Sequence, residues 1–100
     1  MFKYRVVFFK QKSCPACSAM SPIWNEVSSE IHEEYPYLNV GFGEWDVLSD
    51  NWEFADSLGV DGTPNFAVFG EEAELLGLNT DGMLTKTELK NFILGCANAQ

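Results

Sequence analysis

Positive charge is scarce in this chain. Six Lys and Arg stand against fifteen Asp and Glu, for a net charge of −9, and there is a single histidine. So acidic a protein is ill suited to hold a phosphate backbone or an anionic lipid headgroup, and neither nucleic acid nor membrane is an expected partner. Long apolar runs are also missing. The stretch Val6-Val7-Phe8-Phe9 falls far short of the roughly 18 residues of a membrane span and is too short for a signal-peptide core. A cytoplasmic location is the expectation. Cysteine is limited to positions 14, 17 and 96, too few and too unevenly spaced for a disulfide scaffold, so the closely spaced pair needs another role.

What the chain does have is core material. It is 46% apolar, with eight Phe, three Tyr and three Trp among 100 residues. That is enough for one compact domain over residues 1–100 and too little for two; a monomer is expected. From Lys3 to Phe9 the residues are β-branched and aromatic, first alternating and then continuously apolar, as in a strand buried on both faces by its end. After the cysteines, Met20, Ile23, Trp24, Val27 and Ile31 recur at helical spacing, with Glu26, Glu30 and Glu33 turned outward. Pro22 lies inside that helix and should kink it.

A strand weakened by Gly41 and Gly43 follows, then a short helix opened by Ser49 or Asp50 and closed at Gly59. The segment from Asn65 to Leu78 has the shape of a hairpin, with its turn at Gly70 to Glu72. Thr85 and Glu88 have capping-box spacing ahead of a last helix running to about Cys96. The order is βαβαββα, an α/β protein without repeats or linkers.

Cys14 falls where the first strand ends and the long helix begins, with Pro15 in the first helical position. Unpaired backbone N–H groups and the positive end of the helix dipole then favour a thiolate there. Lys10 and Lys12, just upstream, add to that effect, so Cys14 should titrate below a free thiol. Cys17, one turn on, is placed to resolve a mixed disulfide. A structural zinc site would need four ligands, and beyond the pair the chain offers only Cys96 and His32; no metal is expected. Asn79, Asp81, Gly82, Leu84 and Glu88 follow the later spacing of a calcium loop, but its first ligand position would be Gly77, so a turn and a capped helix are the expectation.

Cys14-Pro15-Ala16-Cys17 between a strand and a helix, followed by SLGVDGTPNFAVFG from Ser57 to Gly70, resembles the thioredoxin superfamily over nearly the whole chain. The resemblance implies a thioredoxin-like fold: a central mixed sheet of about four strands with helices on both faces. It also implies a cis Thr63-Pro64 bond facing the cysteines, and substrate contacts at Pro15, Ala16, Thr63 and Pro64, the backbone near Thr63 pairing with an extended substrate segment. Ser21 to Val27 resembles the thioredoxin helix with its proline, and Gly77 matches the family glycine near the end of the last strand.

The activity implied is thiol–disulfide exchange on disulfide-containing protein substrates. No cofactor is bound; an external electron donor is implied, either NADPH through thioredoxin reductase or glutathione.

The departures from the family pattern keep alternatives open. Ser13 replaces the usual Trp, and proline directly after the first cysteine is similar to glutaredoxins, as is the partial match at Gly77-Leu78-Asn79-Thr80-Asp81. A glutathione-dependent glutaredoxin is therefore one alternative. A noncatalytic binding module of the same fold is another. Thioredoxins also bury an Asp near a Lys beside the dithiol; those positions fall here at Phe8 and Phe42, which are expected to pack together.

Overall fold

Alternate residues of the first strand belong to two different cores: Val6 and Phe8 to one, Val7 and Phe9 to the other. This is the period-two alternation of a strand covered on both sides. A computed structural model of the chain describes residues 2–98. It contains β1 (Tyr4–Lys10), α1 (Pro15–Glu34), a 3-10 turn (Pro36–Leu38), β2 (Val40–Asp46), α2 (Trp52–Leu58), β3 (Asn65–Phe69), β4 (Leu75–Asn79) and α3 (Lys86–Cys96). The four strands lie in the order β2-β1-β3-β4. β1 pairs in parallel with β2 and antiparallel with β3, which pairs antiparallel with β4.

The expected mixed sheet with helices on both faces is thus present. Met20, Trp24, Val27 and Ile31 of α1 join Leu89, Ile93 and Leu94 of α3 over Val6, Phe8, Phe66 and Val68. Ala55 and Leu58 of α2 cover Phe9 and Ala67 on the opposite face. Ion pairs tie α1 to α3: Lys90 reaches Glu30 at 3.0 Å and Glu34 at 2.8 Å, while Lys86 reaches Glu30 at 2.6 Å. Glutamates one turn apart on α1 and lysines one turn apart on α3 make this ladder possible.

Three local expectations need correction. The cap of α2 is Asn51, whose Oδ1 accepts the Phe54 N–H at 3.1 Å, and not Ser49 or Asp50. Asp50 is engaged elsewhere: its carboxylate accepts the Asp46 N–H at 2.9 Å and closes the end of β2. The hairpin turn is longer than Gly70 to Glu72, because Ala73 takes a left-handed φ of 63° and β4 starts only at Leu75. Val68 pairs with Gly77 and Phe69 with Leu75, so Leu76 is the extra residue of a bulge.

Phe8 and Phe42 do not stand opposite each other across β1 and β2: Phe42 is opposite Val6, and Phe8 opposite Glu44. Trp24 joins them instead. Its ring centroid is 5.4 Å from that of Phe8 and 5.5 Å from that of Phe42. By contrast, the Thr85 and Glu88 capping box is fully formed, the Thr85 N–H donating to Glu88 Oε1 at 2.9 Å and the Glu88 N–H to Thr85 Oγ1 at 3.1 Å. The Glu88 carboxylate therefore serves the helix cap, in keeping with a turn and a capped helix rather than an ion-binding loop.

Candidate active site

β1, a central strand, ends at Lys10, and α1 starts five residues later, so the cysteines sit at a strand-to-helix junction. Cys14 is the N-cap residue of α1, with extended backbone angles, and Pro15 occupies the first helical position, where its missing N–H is no loss. The cap acceptor is the sulfur itself: the Cys17 N–H donates to Cys14 Sγ at 3.1 Å. Ordinary caps put an oxygen here. A sulfur in that place receives a helix amide and the positive end of the dipole, which are the groups that stabilise a thiolate.

Cys14 and Cys17 are joined as a disulfide, with their Cα atoms 5.2 Å apart. Both are nearly covered, Cys14 being 8% and Cys17 3% exposed. The Thr63-Pro64 bond is cis, and the Thr63 carbonyl oxygen lies 3.6 Å from Cys14 Sγ although 49 residues separate the two in sequence. Pro64 is buried, whereas Pro15 is exposed and Ala16 half-buried. Cys14, Pro15, Ala16 and Cys17 are thus together by sequence, and the fold brings Thr63 to Cys14.

Lys10 and Lys12 line a polar cavity of about 220 Å³ together with Gln11, Cys17, Ser18, Ser21 and Asp46. Cys14 is not in its wall. The lysines and the second cysteine therefore share one recess, while the Lys10 ammonium is paired with Glu44 across the β1–β2 ladder. Asp46 accepts the Leu48 N–H at 3.0 Å and the Ser49 N–H at 3.2 Å, and these backbone donors, Ser49 foremost, hold its carboxyl below the ordinary range. Ser21 carries no signal in the sequence beyond its place in the helix, whereas Asp46 matches a family Asp there; the parallel pairing of β2 with β1 carries Asp46 to the same end of the sheet as the cysteines.

Cys96 is remote from this junction, half-buried in α3, and burial pushes its thiol pKa up. His32 is exposed, and its Nε2 is 2.9 Å from the Val40 carbonyl oxygen. Among the described residues no three His, Cys, Asp or Glu side chains gather as a metal site. No helix among them is long and apolar enough to cross a membrane.

Solved structures share the fold. The first two thioredoxin domains of Saccharomyces cerevisiae Eps1p align at 20% identity and a TM-score of 0.75, over 96% of this chain and 36% of that one. A mutant thioredoxin from Halobacterium salinarum aligns at 21% identity and a TM-score of 0.73, over 96% of this chain and 76% of that one. Zinc-bound human ERp44 aligns at 21% identity and a TM-score of 0.77, over 94% of this chain and 27% of that one. This chain therefore spans little more than a third of the Eps1p structure and about a quarter of the ERp44 one. No curated protein sequence matches it significantly. The sequence model of the family described as Thioredoxin matches residues 3–95, and with nearly the whole length matched, the chain belongs to the thioredoxin family.

Proposed function

We propose that the protein is a cytosolic thiol–disulfide oxidoreductase that reduces disulfides in protein substrates. The observation that carries this reading is the position of Cys14 Sγ, which caps a helix and lies against the Thr63 carbonyl. In the reduced form the Cys14 thiolate attacks a substrate disulfide. One sulfur–sulfur bond breaks, a mixed disulfide forms, and the departing substrate thiolate takes a proton from solvent. Cys17 then gives up its proton into the polar cavity at its side and attacks Cys14 Sγ. The second substrate thiol leaves, and the enzyme keeps the Cys14–Cys17 disulfide. Two electrons have passed to the substrate.

Substrate approaches along the face formed by Pro15, Ala16, Thr63 and Pro64. An external donor restores the dithiol; no bound cofactor or metal takes part. The whole-length family match and the long α1 that runs on through Pro22 support a donor of the thioredoxin-reductase type over glutathione.

The test is insulin reduction driven by dithiothreitol, followed by a comparison of two donor systems. Reduction well above the uncatalysed rate, sustained better by NADPH with thioredoxin reductase than by glutathione with its reductase, is the expected result. No rate above background would instead identify a noncatalytic binding module. Efficient turnover with glutathione alone would identify a glutaredoxin.

A further inference from the structure

Asn65 is the one polar side chain among the described residues that is buried, at 2% exposed. Buried amides persist when both ends of the group find partners, and here both do. Its Nδ2 donates to the Pro64 carbonyl at 2.8 Å, and its Oδ1 accepts the Asp61 N–H at 3.3 Å. The carboxamide therefore spans the bend from Asp61 to Pro64. That bend has no backbone–backbone hydrogen bond of its own among the described residues. Gly62, in its middle, has open space where a Cβ would stand, so no side chain packs on that point of the bend, and burial begins only at Pro64.

Asn65 itself is anchored as the first residue of β3, opposite Phe9 of β1. It sits on a rigid central strand and reaches back over the loop before it. The loop so held carries the Thr63 carbonyl, 3.6 Å from Cys14 Sγ.

We infer that Asn65 is a positioning residue for substrate: its side chain fixes the Asp61–Pro64 bend, and with it the Thr63 backbone against which a protein segment lies during exchange. This rests on the function proposed above. Asn65 touches no reacting atom, so its loss should weaken the docking of extended protein substrates and leave the sulfur chemistry intact. A small aromatic disulfide such as 5,5′-dithiobis(2-nitrobenzoic acid), which needs no backbone docking, supplies the control.

Asn65→Leu preserves the side-chain size and removes both hydrogen bonds. With insulin as substrate, KM is expected to rise about tenfold, the effect of losing one or two hydrogen bonds' worth of preorganisation, with kcat nearly unchanged. With the small disulfide the rate should stay within about twofold of the wild type. A purely structural role would lower both activities alike. A second measurement needs no variant: in the wild-type protein the Asp61 amide, though its residue is exposed, should exchange with solvent deuterium far more slowly than an open loop amide.

Equal losses on both substrates, or an unprotected Asp61 amide, would overturn the inference while leaving the function standing. A wild-type protein inactive on both substrates would overturn the function, and the positioning role with it.

Discussion

The ring of Phe8 lies against the indole of Trp24, with centroids 5.4 Å apart. Phe8 is fully buried, and Phe66 stacks on it at 5.2 Å while lying 6.1 Å from Trp24, so the three rings form one cluster. At the position where the family resemblance places a buried carboxylate, this protein has an aromatic cluster. The exchange rate of the reduced protein should therefore follow one dominant ionisation, that of Cys14, with no strongly raised carboxylate coupled to it. A rate profile over pH, joined to carbon-detected NMR of the carboxyl groups, checks this. Phe8→Asp should lower stability by about 3–5 kcal/mol in denaturant unfolding, because it removes ring contacts and buries an acid without a partner. A second, carboxylate-like ionisation in the wild type would contradict the account.

The polar recess beside Cys17 gives the second chemical step its own signature. Lys10 is paired with Glu44, and both lysines line the recess beside Cys17, into which the proposed second step would release its proton. Lys10→Gln with Lys12→Gln should slow release of the mixed disulfide by about threefold, as expected for solvated charges, and change the alkylation of Cys14 less. Quenched-flow trapping resolves the two steps. A larger effect on Cys14 alkylation than on release would place the lysines' influence at the first cysteine instead.

The ladder between α1 and α3 makes stability depend on pH in a defined direction. Hydrogen bonds from Lys86 and then Lys90 hold the Glu30 carboxyl below its ordinary pKa. Its contribution is complete above the ordinary glutamate range and is lost as pH falls through the lowered value. Glu30 raises the pKa of Lys86, and Glu34 followed by Glu30 raises that of Lys90. Their contribution is complete below the ordinary lysine range and is lost as pH rises through the raised values. Thermal melts of Lys86→Met with Lys90→Met should show a lower Tm than the wild type at neutral pH. The gap should close in acid and narrow in high salt. A gap of equal size at acidic and neutral pH would contradict the ion-pair explanation.

Gly77 of β4 faces α3 so closely that a Cβ there would run into Cys96 Sγ and come within 3.3 Å of Phe92 Cε1. Gly77→Ala should cost about 1–2 kcal/mol of unfolding free energy. In a Cys96→Ala background most of that cost should vanish, since the sulfur is the nearest obstacle. A double-mutant cycle read by denaturant unfolding measures the coupling. Additive effects would show that the glycine is required for another reason.

Much of this molecule is legible in the chain where the deciding contacts are local. Cys14 with Pro15 marks a helix start, Thr85 with Glu88 marks another, and Gly59 in the left-handed region marks an end. The position of Thr63 against Cys14 was legible through resemblance alone, since no local rule joins residues so far apart. What escaped depended on register and competition. Ser49, Asp50 and Asn51 are all good cap residues, and only the fold of β2 assigns Asp50 to the strand end and Asn51 to the helix. Phe8 and Phe42 are offset across β1 and β2, which leaves room for Trp24 from a different element. Asn65 looked like an ordinary strand residue, because its burial and its bond to Asp61 exist only once the loop has folded back.

The most direct test of the central claim is the capture of the covalent intermediate by single-cysteine variants mixed with a disulfide-bonded protein and read by mass spectrometry. Cys17→Ser should accumulate a substrate adduct through Cys14 that dithiothreitol releases, and Cys14→Ser should form none and reduce nothing. An adduct through Cys17 in Cys14→Ser, or no adduct in either variant, would contradict the assignment of Cys14 as the attacking sulfur.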